Sequence, residues 1–347
     1  MNKLVCASAH YLHIGAALGL SLFALYTAAT GVMVDMIQRG VVLLLVMILV
    51  FTKPIAQKDT KWYHKLFLIF MLTVSSVALI YQLVNYKQLA ISMGAITPFE
   101  TALGIILIVS LWSVTKMKVG WPIVIISSLF VLYARFGNLL PGMIAHRGYS
   151  IKRIVSHMVV GTNGIFGTPL GTAATMVVVF ILFGCFLEAS GGTTFFMDLA
   201  IALTGKSRGG PAKAAVISSA LMGTISGNAA SNVVTTGTFT IPLMKRTGYS
   251  SCVSGAIEAV ASTGGQIMPP VMGAAAFIMA EMIGTSYGTV AMAAVIPSIL
   301  YYVSVFFMVH FEAVKCGVSS MSANDIPDLK STWRMNCHTL VSIVVLV

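Results

Sequence analysis

The 347 residues are 57% hydrophobic and only 9% charged, with a mean hydropathy of +0.92 and a formal net charge of +11. A soluble domain covers itself with roughly a quarter charged residues, so the solvent of this chain is the bilayer, and two or three water-soluble domains are excluded. The excess of 21 basic over 10 acidic residues would suggest nucleic acid in a soluble protein. Here the basic residues stand in short clusters between apolar runs, which is the pattern of membrane topology and of contact with anionic membrane lipids; no nucleic-acid partner is expected.

Lipid offers no hydrogen bonds, so spanning segments must be helices or closed barrels. Long apolar runs without strict alternation favour helices, at about 11–34, 40–52, 66–84, 101–115, 120–134, 170–188, 250–282 and 289–309. The fold class is therefore an all-α polytopic membrane protein. Lys3 precedes a long apolar run without a small-residue cleavage site, so the first span is expected to be retained. Alternating sides then place Lys3, Lys53, Lys58, Lys61, Lys65, Lys116, Lys118, Lys206, Arg208, Lys213, Lys245, Arg246, Lys315, Lys330 and Arg334 in the cytoplasm. Arg39, Lys87, Arg135, Arg147, Lys152 and Arg153 fall outside, so the stretch 135–157 carries four basic residues on the wrong side of the rule. At the far end, 340–347 opens another apolar segment too short to span, and the chain is expected to be truncated there.

One interval fits no simple span. Lys213 and Lys245 bracket 31 uncharged residues, 214–244. As helix they would reach roughly 47 Å, short of the roughly 60 Å that two crossings need. One crossing would put a basic cluster outside. The centre, Gly223-Thr224-Ile225-Ser226-Gly227-Asn228, is poor helix and good turn. A re-entrant hairpin, entering from the cytoplasm and turning near mid-membrane, satisfies both length and charge. Just downstream, Ser262-Thr263-Gly264-Gly265-Gln266-Ile267-Met268-Pro269-Pro270 puts two glycines and two prolines inside the expected 250–282 span. Proline removes a donor and clashes with the preceding turn, so this helix is expected to be broken.

Unwound backbone frees carbonyls that can replace the water around a small cation, while half-helix amino ends favour anions. Discontinuous helices near the midplane point to a transporter's binding site. The turn supplies Ser226, Asn228, Ser231 and Asn232; the break supplies Ser262, Thr263 and the Gly264-Gly265 backbone. Glu258 lies about one turn before the break, and an intramembrane acid is either functional or paired with a helix end or water.

These stretches resemble the large membrane component of TRAP transporters, the tripartite ATP-independent periplasmic carriers, in the branch that fuses small and large components. The resemblance rests on Gly209-Gly210-Pro211-Ala212-Lys213, on 223–228, on TFTIPLMKRTGY at 238–249 and on STGGQIMPPVMGAAAFIMAE at 262–281. It is weaker over 161–171 and 180–192. It implies Na⁺ as coupling ion, a small organic anion of carboxylate type, a periplasmic solute-binding protein and a bacterial inner-membrane location. It also implies an elevator-type fold of two inverted repeats, of which this chain would hold the first. By position, the ion-binding residues would be Ser226, Gly227, Asn228, Thr263, Gly264 and Gly265, and the solute-binding residues Asn232, Ser262, Gln266, Pro269 and Pro270. The expected divisions are 1–100 (small-component-like helices), 101–205 (scaffold and interfacial helix), 206–310 (transport region) and 311–347 (loop and start of a further span). The second hairpin, broken helix and ion site have no counterpart in the sequence.

Other signals carry less. Gly205-Lys206-Ser207 mimics the end of a phosphate loop, but Ala200 stands where its glycine belongs. Lys206, Arg208 and Lys213 are expected to anchor an interfacial helix at 193–204 to the cytoplasmic surface. His10 and His13 share a helical face without a third metal ligand. The GxxxG of 167–171 sits in a loop-like context. The five cysteines, Cys6, Cys185, Cys252, Cys316 and Cys337, have no CxxC or metal-ligand spacing. The competing reading is an ion channel or a non-transporting scaffold subunit; no cofactor is expected, nor a catalytic residue, because an intramembrane hydrolase needs His-Ser or paired Asp within its spans.

Overall fold

A computed structural model describes residues 2–31, 33–57, 60–92, 95–321, 326–329 and 332. The expected further span at 340–347, and Lys58, Lys330, Arg334 and Cys337, lie outside these described residues. Among the described residues every regular element is helical, as a chain solvated by lipid requires. Seven helical stretches are long and apolar enough to cross a bilayer. The chain packs as two units, Met1–Thr175 and Met176–Val347.

The first unit contains α1 (Asn2–Thr30), α2 (Asp35–Ala56), α3 (Trp62–Val84), the short α4 (Tyr86–Ile91), α5 (Pro98–Lys118), α6 (Trp121–Phe136), α7 (Ile151–Val159) and the turn α8 (Thr168–Thr172). The first span begins about nine residues earlier than apolarity alone suggests and stops at Thr30, because Gly31 turns the backbone left-handed at φ +97°. The second is also longer than expected, since Gln38 and Arg39 find carbonyl partners within the unit, those of Ala174 and Phe166. At α5, Thr97 and Glu100 form a reciprocal capping box with Pro98 in the first turn. The core of this unit joins Met47, Phe51 and Ile55 of α2 to Leu68 and Leu79 of α3, Leu107 of α5 and Val155 and Val159 of α7. On α6 only Val124 is buried; its other apolar side chains face outward, as a lipid solvent permits.

Gly167–Gly171 lies only in part in a loop: Gly167 ends an irregular segment and Thr168–Gly171 are helical. Gly167 precedes α8, which continues through a π turn (Ala173–Val177) into α9 (Val178–Ala189), together a single apolar stretch, Thr168–Ala189. Gly171 is small for a stated reason: a Cβ there would meet the Arg39 guanidinium at 2.7 Å.

The second unit continues with α10 (Gly192–Thr204), α11 (Gly210–Ser226), α12 (Ala229–Arg246), α13 (Ser251–Thr263), a 3-10 turn (Gly264–Ile267), α14 (Ala274–Ile283) and α15 (Tyr287–Lys315). The hairpin is present: α11 and α12, of 17 and 18 residues, are each roughly 26 Å long, too short to cross a core of about 30 Å. The break is present as well, with 268–273 non-helical between the 3-10 turn and α14. The core here gathers Ala212, Ala215 and Val216 of α11, Ile257 and Ala261 of α13, and Tyr302, Val305 and Val309 of α15. Lys213 departs from its expected place at the cytoplasmic surface. It is buried, its Nζ donating to Ser207 Oγ at 3.2 Å and lying 5.2 Å from the centre of the Phe306 ring.

The hairpin fixes the ends of its arms on one side. Single cysteines at Ser207 and Thr247, in an otherwise cysteine-free protein, should react with impermeant thiol reagents only from the cytoplasm. Labelling from opposite faces would make 214–244 an ordinary span.

Candidate functional site

The hairpin tip is built by complementary caps. Gly227, at φ +55°, ends α11 and donates its N–H to Gly223 O. Asn228 then starts α12, its Oδ1 accepting from Ala230 N and Ser231 N at 3.0 and 3.2 Å. Ser226 donates to Met222 O at 3.3 Å, which leaves its lone pairs free.

Both breaks meet. An added Cβ on Gly227 would collide with Met272 O, and one on Gly273 would come 3.3 Å from Gly227 O. A turn deeper, Gly223 and Gly265 bring two backbones together; a Cβ on Gly265 would stand 2.9 Å from Gly223 Cα and 3.0 Å from Asn232 Nδ2. Only glycine admits this crossing. Four helix ends therefore converge: the carboxyl ends of α11 and α13, and the amino ends of α12 and α14. The first pair carries partial negative charge and the second partial positive charge, a set suited to a cation and an anion side by side.

The broken segment closes most of its own polar groups. Gly273 N donates to Gln266 O at 2.7 Å, and Met268 N to Gly265 O at 3.3 Å. Tyr287, at the start of α15, places its hydroxyl 2.6 Å from the carbonyls of both Pro270 and Val271, while its ring stacks on Phe277 at 4.2 Å.

Beside the tip lies a cavity of about 150 Å³, lined by Ile181, Cys185 and Glu188 of α9 and by Ser226, Asn228 and Ser231. Of the residues singled out in the sequence, Ser226, Asn228 and Ser231 face it. Gly264 is packed beneath the rings of Tyr301 and Tyr302. Thr263 is exposed and returns its hydroxyl to Ala259 O at 2.7 Å. Gln266 is exposed, and Pro269 and Pro270 are half-buried in the non-helical segment. Asn232 and Ser262 turn instead into a buried polar cluster.

That cluster surrounds Glu258, which is fully buried. Its Oε1 accepts from Thr236 Oγ1, from Ser262 Oγ at 3.1 Å and from Ser219 Oγ at 3.4 Å; its Oε2 accepts from Thr240 Oγ1 at 2.5 Å. Asn232 extends the network, its Nδ2 donating to Ser219 O at 2.9 Å. One carboxyl thus ties α11, α12 and α13 together, and Gly237 leaves room for it: a Cβ there would lie 3.1 Å from Glu258 Cγ. The sequence holds the signal in two stripes at helical spacing, Asn232/Thr236/Thr240 and Ser254/Glu258/Ser262, all six side chains buried.

The residues 104–347 match a family model described as the DctM component of the tripartite ATP-independent periplasmic transporter. The chain is 31% identical over 136 residues to the C4-dicarboxylate TRAP transporter large permease protein DctM of Pseudomonas aeruginosa, covering 39% of this chain and 31% of that one. It is 28% identical over 184 residues to the uncharacterized protein YgiK of Salmonella typhimurium, covering 53% of this chain and 39% of that one. The chain thus spans about a third of the length of the curated relatives it matches.

The Glu258 network makes a direct prediction. Glu258→Ala removes the shared acceptor of four buried hydroxyls, of which Thr236 and Thr240 can turn back to the carbonyls of Asn232 and Thr236, and should cost about 1–3 kcal/mol of stability, read as a lowered midpoint in thermal unfolding of the detergent-solubilised protein. Glu258→Gln keeps an acceptor oxygen and should lose less. Equal losses would show that volume, not hydrogen bonding, is what the side chain supplies.

Proposed function

The chain belongs to the DctM component family of tripartite ATP-independent periplasmic transporters, and from that premise we propose that it forms part of a permease importing a small carboxylate-type organic anion with Na⁺, delivered by a periplasmic solute-binding protein. As a member of that family with seven helices able to span a bilayer among the described residues, it is a multi-pass protein of the bacterial inner membrane.

The observation that carries the proposal is the contact between the two breaks, Gly227 against Met272 and Gly273. It brings helix ends of both signs to one place with no charged residue in the turn itself, Glu188 of α9 lining the cavity beside it. In this reading the terminal carbonyls of α11, with Ser226 Oγ and the Asn228 side chain, form the cation's side, joined by the Gly264-Gly265 backbone at the end of α13. The solute's carboxylate sits toward the amino ends of α12 and α14, beside Gln266 and the Pro269-Pro270 turn. Asn232 and Ser262 hold the geometry from behind through Glu258. The proposed divisions of labour are small-component-like helices at 1–100, scaffold at 101–205, transport region at 206–310 and a connecting loop from 311. The printed name of the Pseudomonas relative supports a C4-dicarboxylate as the first solute to try.

The test is uptake into proteoliposomes by the full-length protein with its binding protein. Ser226→Ala and Asn228→Ala should each raise the Na⁺ concentration for half-maximal uptake by roughly tenfold, the equivalent of one lost ligand worth about 1.4 kcal/mol. Thr263→Ala, whose hydroxyl is engaged with its own helix, should shift it less. Unchanged Na⁺ dependence in Ser226→Ala and Asn228→Ala would remove the tip from the ion site.

A further inference from the structure

The four cations that break the topology rule sit together without acidic partners. No Asp or Glu occurs between Glu100 and Glu188, and among the described residues the ion pairs are Arg39–Asp35 and Lys315–Glu312. Arg135 ends α6; Arg147, Lys152 and Arg153 follow in the loop and in α7. The Arg153 guanidinium lies 5.1 Å from the Tyr149 ring centre and that of Arg135 5.4 Å from Phe136. Helix α7 is amphipathic: Val155 and Val159 enter the core, while Lys152, Arg153 and His157 are exposed. This is the build of a helix lying in a membrane interface.

Three concave surfaces adjoin at this place. A cleft of about 760 Å³ is lined by Ser150, Lys152, Arg153 and His157, among others. It shares Arg153 and His157 with an apolar groove of about 630 Å³ formed by Phe130, Val131, Ala134, Ile154 and Met158. A second apolar groove, about 500 Å³, runs between α5 and α6 past Trp112 and Leu132 to Arg135. The two grooves share Val131 and Ile154, which form a ridge between them.

We propose that this surface binds one anionic phospholipid, its phosphate in the cleft between Lys152 and Arg153 and its two acyl chains in the grooves on either side of the Val131–Ile154 ridge. The shape selects the occupant. A free phosphate would fill only the cleft, and an acidic protein face would neutralise the cations but leave two apolar grooves empty. A diacyl lipid fills all three. Basic residues on the outer side then have a local counter-charge, which removes the conflict with the positive-inside rule.

Native mass spectrometry of the delipidated full chain, offered phosphatidylglycerol or phosphatidylcholine, tests this. One phosphatidylglycerol per chain should be retained in preference to phosphatidylcholine, and excess inorganic phosphate should not displace it. The exposed-site variants Lys152→Gln and Arg153→Gln should each weaken retention roughly fivefold. Val131→Trp, which fills the grooves and leaves the cations intact, should also weaken it; Ala134→Leu, a smaller intrusion into one groove, should act in the same direction should the tryptophan prevent folding. Equal retention of both lipids, displacement by phosphate, or insensitivity to the groove variants would overturn the proposal, the last two by showing a site for the phosphate group alone.

Discussion

Backbone that leaves helical geometry inside lipid must find every hydrogen bond within the protein, since an unsatisfied amide or carbonyl there costs several kcal/mol. That constraint shapes the second unit. At the tip, one glycine supplies the left-handed turn and one asparagine caps the next helix. At the break, Gly273 and Met268 donate to carbonyls within the same short segment. Proline at 269 and 270 has no amide to satisfy, so part of the problem is removed rather than solved. Two of the carbonyls that remain, those of Pro270 and Val271, meet the hydroxyl of Tyr287. That hydroxyl has a single proton for two carbonyls, so the segment retains acceptor capacity directed at its own surroundings.

The same constraint explains the buried carboxyl. Hairpin arms of 17 and 18 residues are shorter than independent spans, and among the described residues of these arms the charges lie at the outer ends. Apolar packing between helices gives little specificity in lipid, where the alternative solvent is equally apolar. A carboxyl sharing hydrogen bonds with Ser219, Thr236, Thr240 and Ser262 is directional, and it admits one register of three helices. Close glycine contacts, Gly223 on Gly265 and Gly237 on Glu258, set the distance. Small residues permit the approach and the polar cluster selects it.

How much of this was legible depended on which physical limit a segment met. The hairpin could be read from 31 uncharged residues bracketed by Lys213 and Lys245, because helix rise and membrane thickness are fixed lengths. The break could be read from Gly264-Gly265 and Pro269-Pro270, because proline's lost donor is a local fact. Glu258 was seen only as an acid of uncertain role. Its four hydroxyl partners come from three helices, and hydroxyls are common enough in apolar spans that no single one signals a cluster. Only the paired i, i+4, i+8 stripes on α12 and α13 would have shown it. Lys213 misled for a related reason: basic residues near a span's end usually reach water, whereas this one is held by Ser207 and the Phe306 ring. The Gly167–Gly171 stretch is loop only as far as Gly167; from Thr168 it is helix, because proline in the first turn of a helix is a favoured start.

In the proposed reading, the placement of charge follows from what a transport site must do. A coupling ion has to be bound tightly enough to be selected and loosely enough to leave. A full carboxylate at the tip would favour binding over release, and in a medium of low dielectric the difference is large. Here Glu258, the one buried acid among the described residues, stands behind the tip with its oxygens engaged by hydroxyls, while the tip offers carbonyls, serine hydroxyls and partial charges at helix ends. The carboxyl's strength is thus spent on holding three helices in register, and the weaker groups are left to face whatever enters the 150 Å³ cavity. Specificity for a particular solute would then come from shape and from the groups that complete the cavity, the carboxyl of Glu188 and the hydroxyl of Ser231 among them.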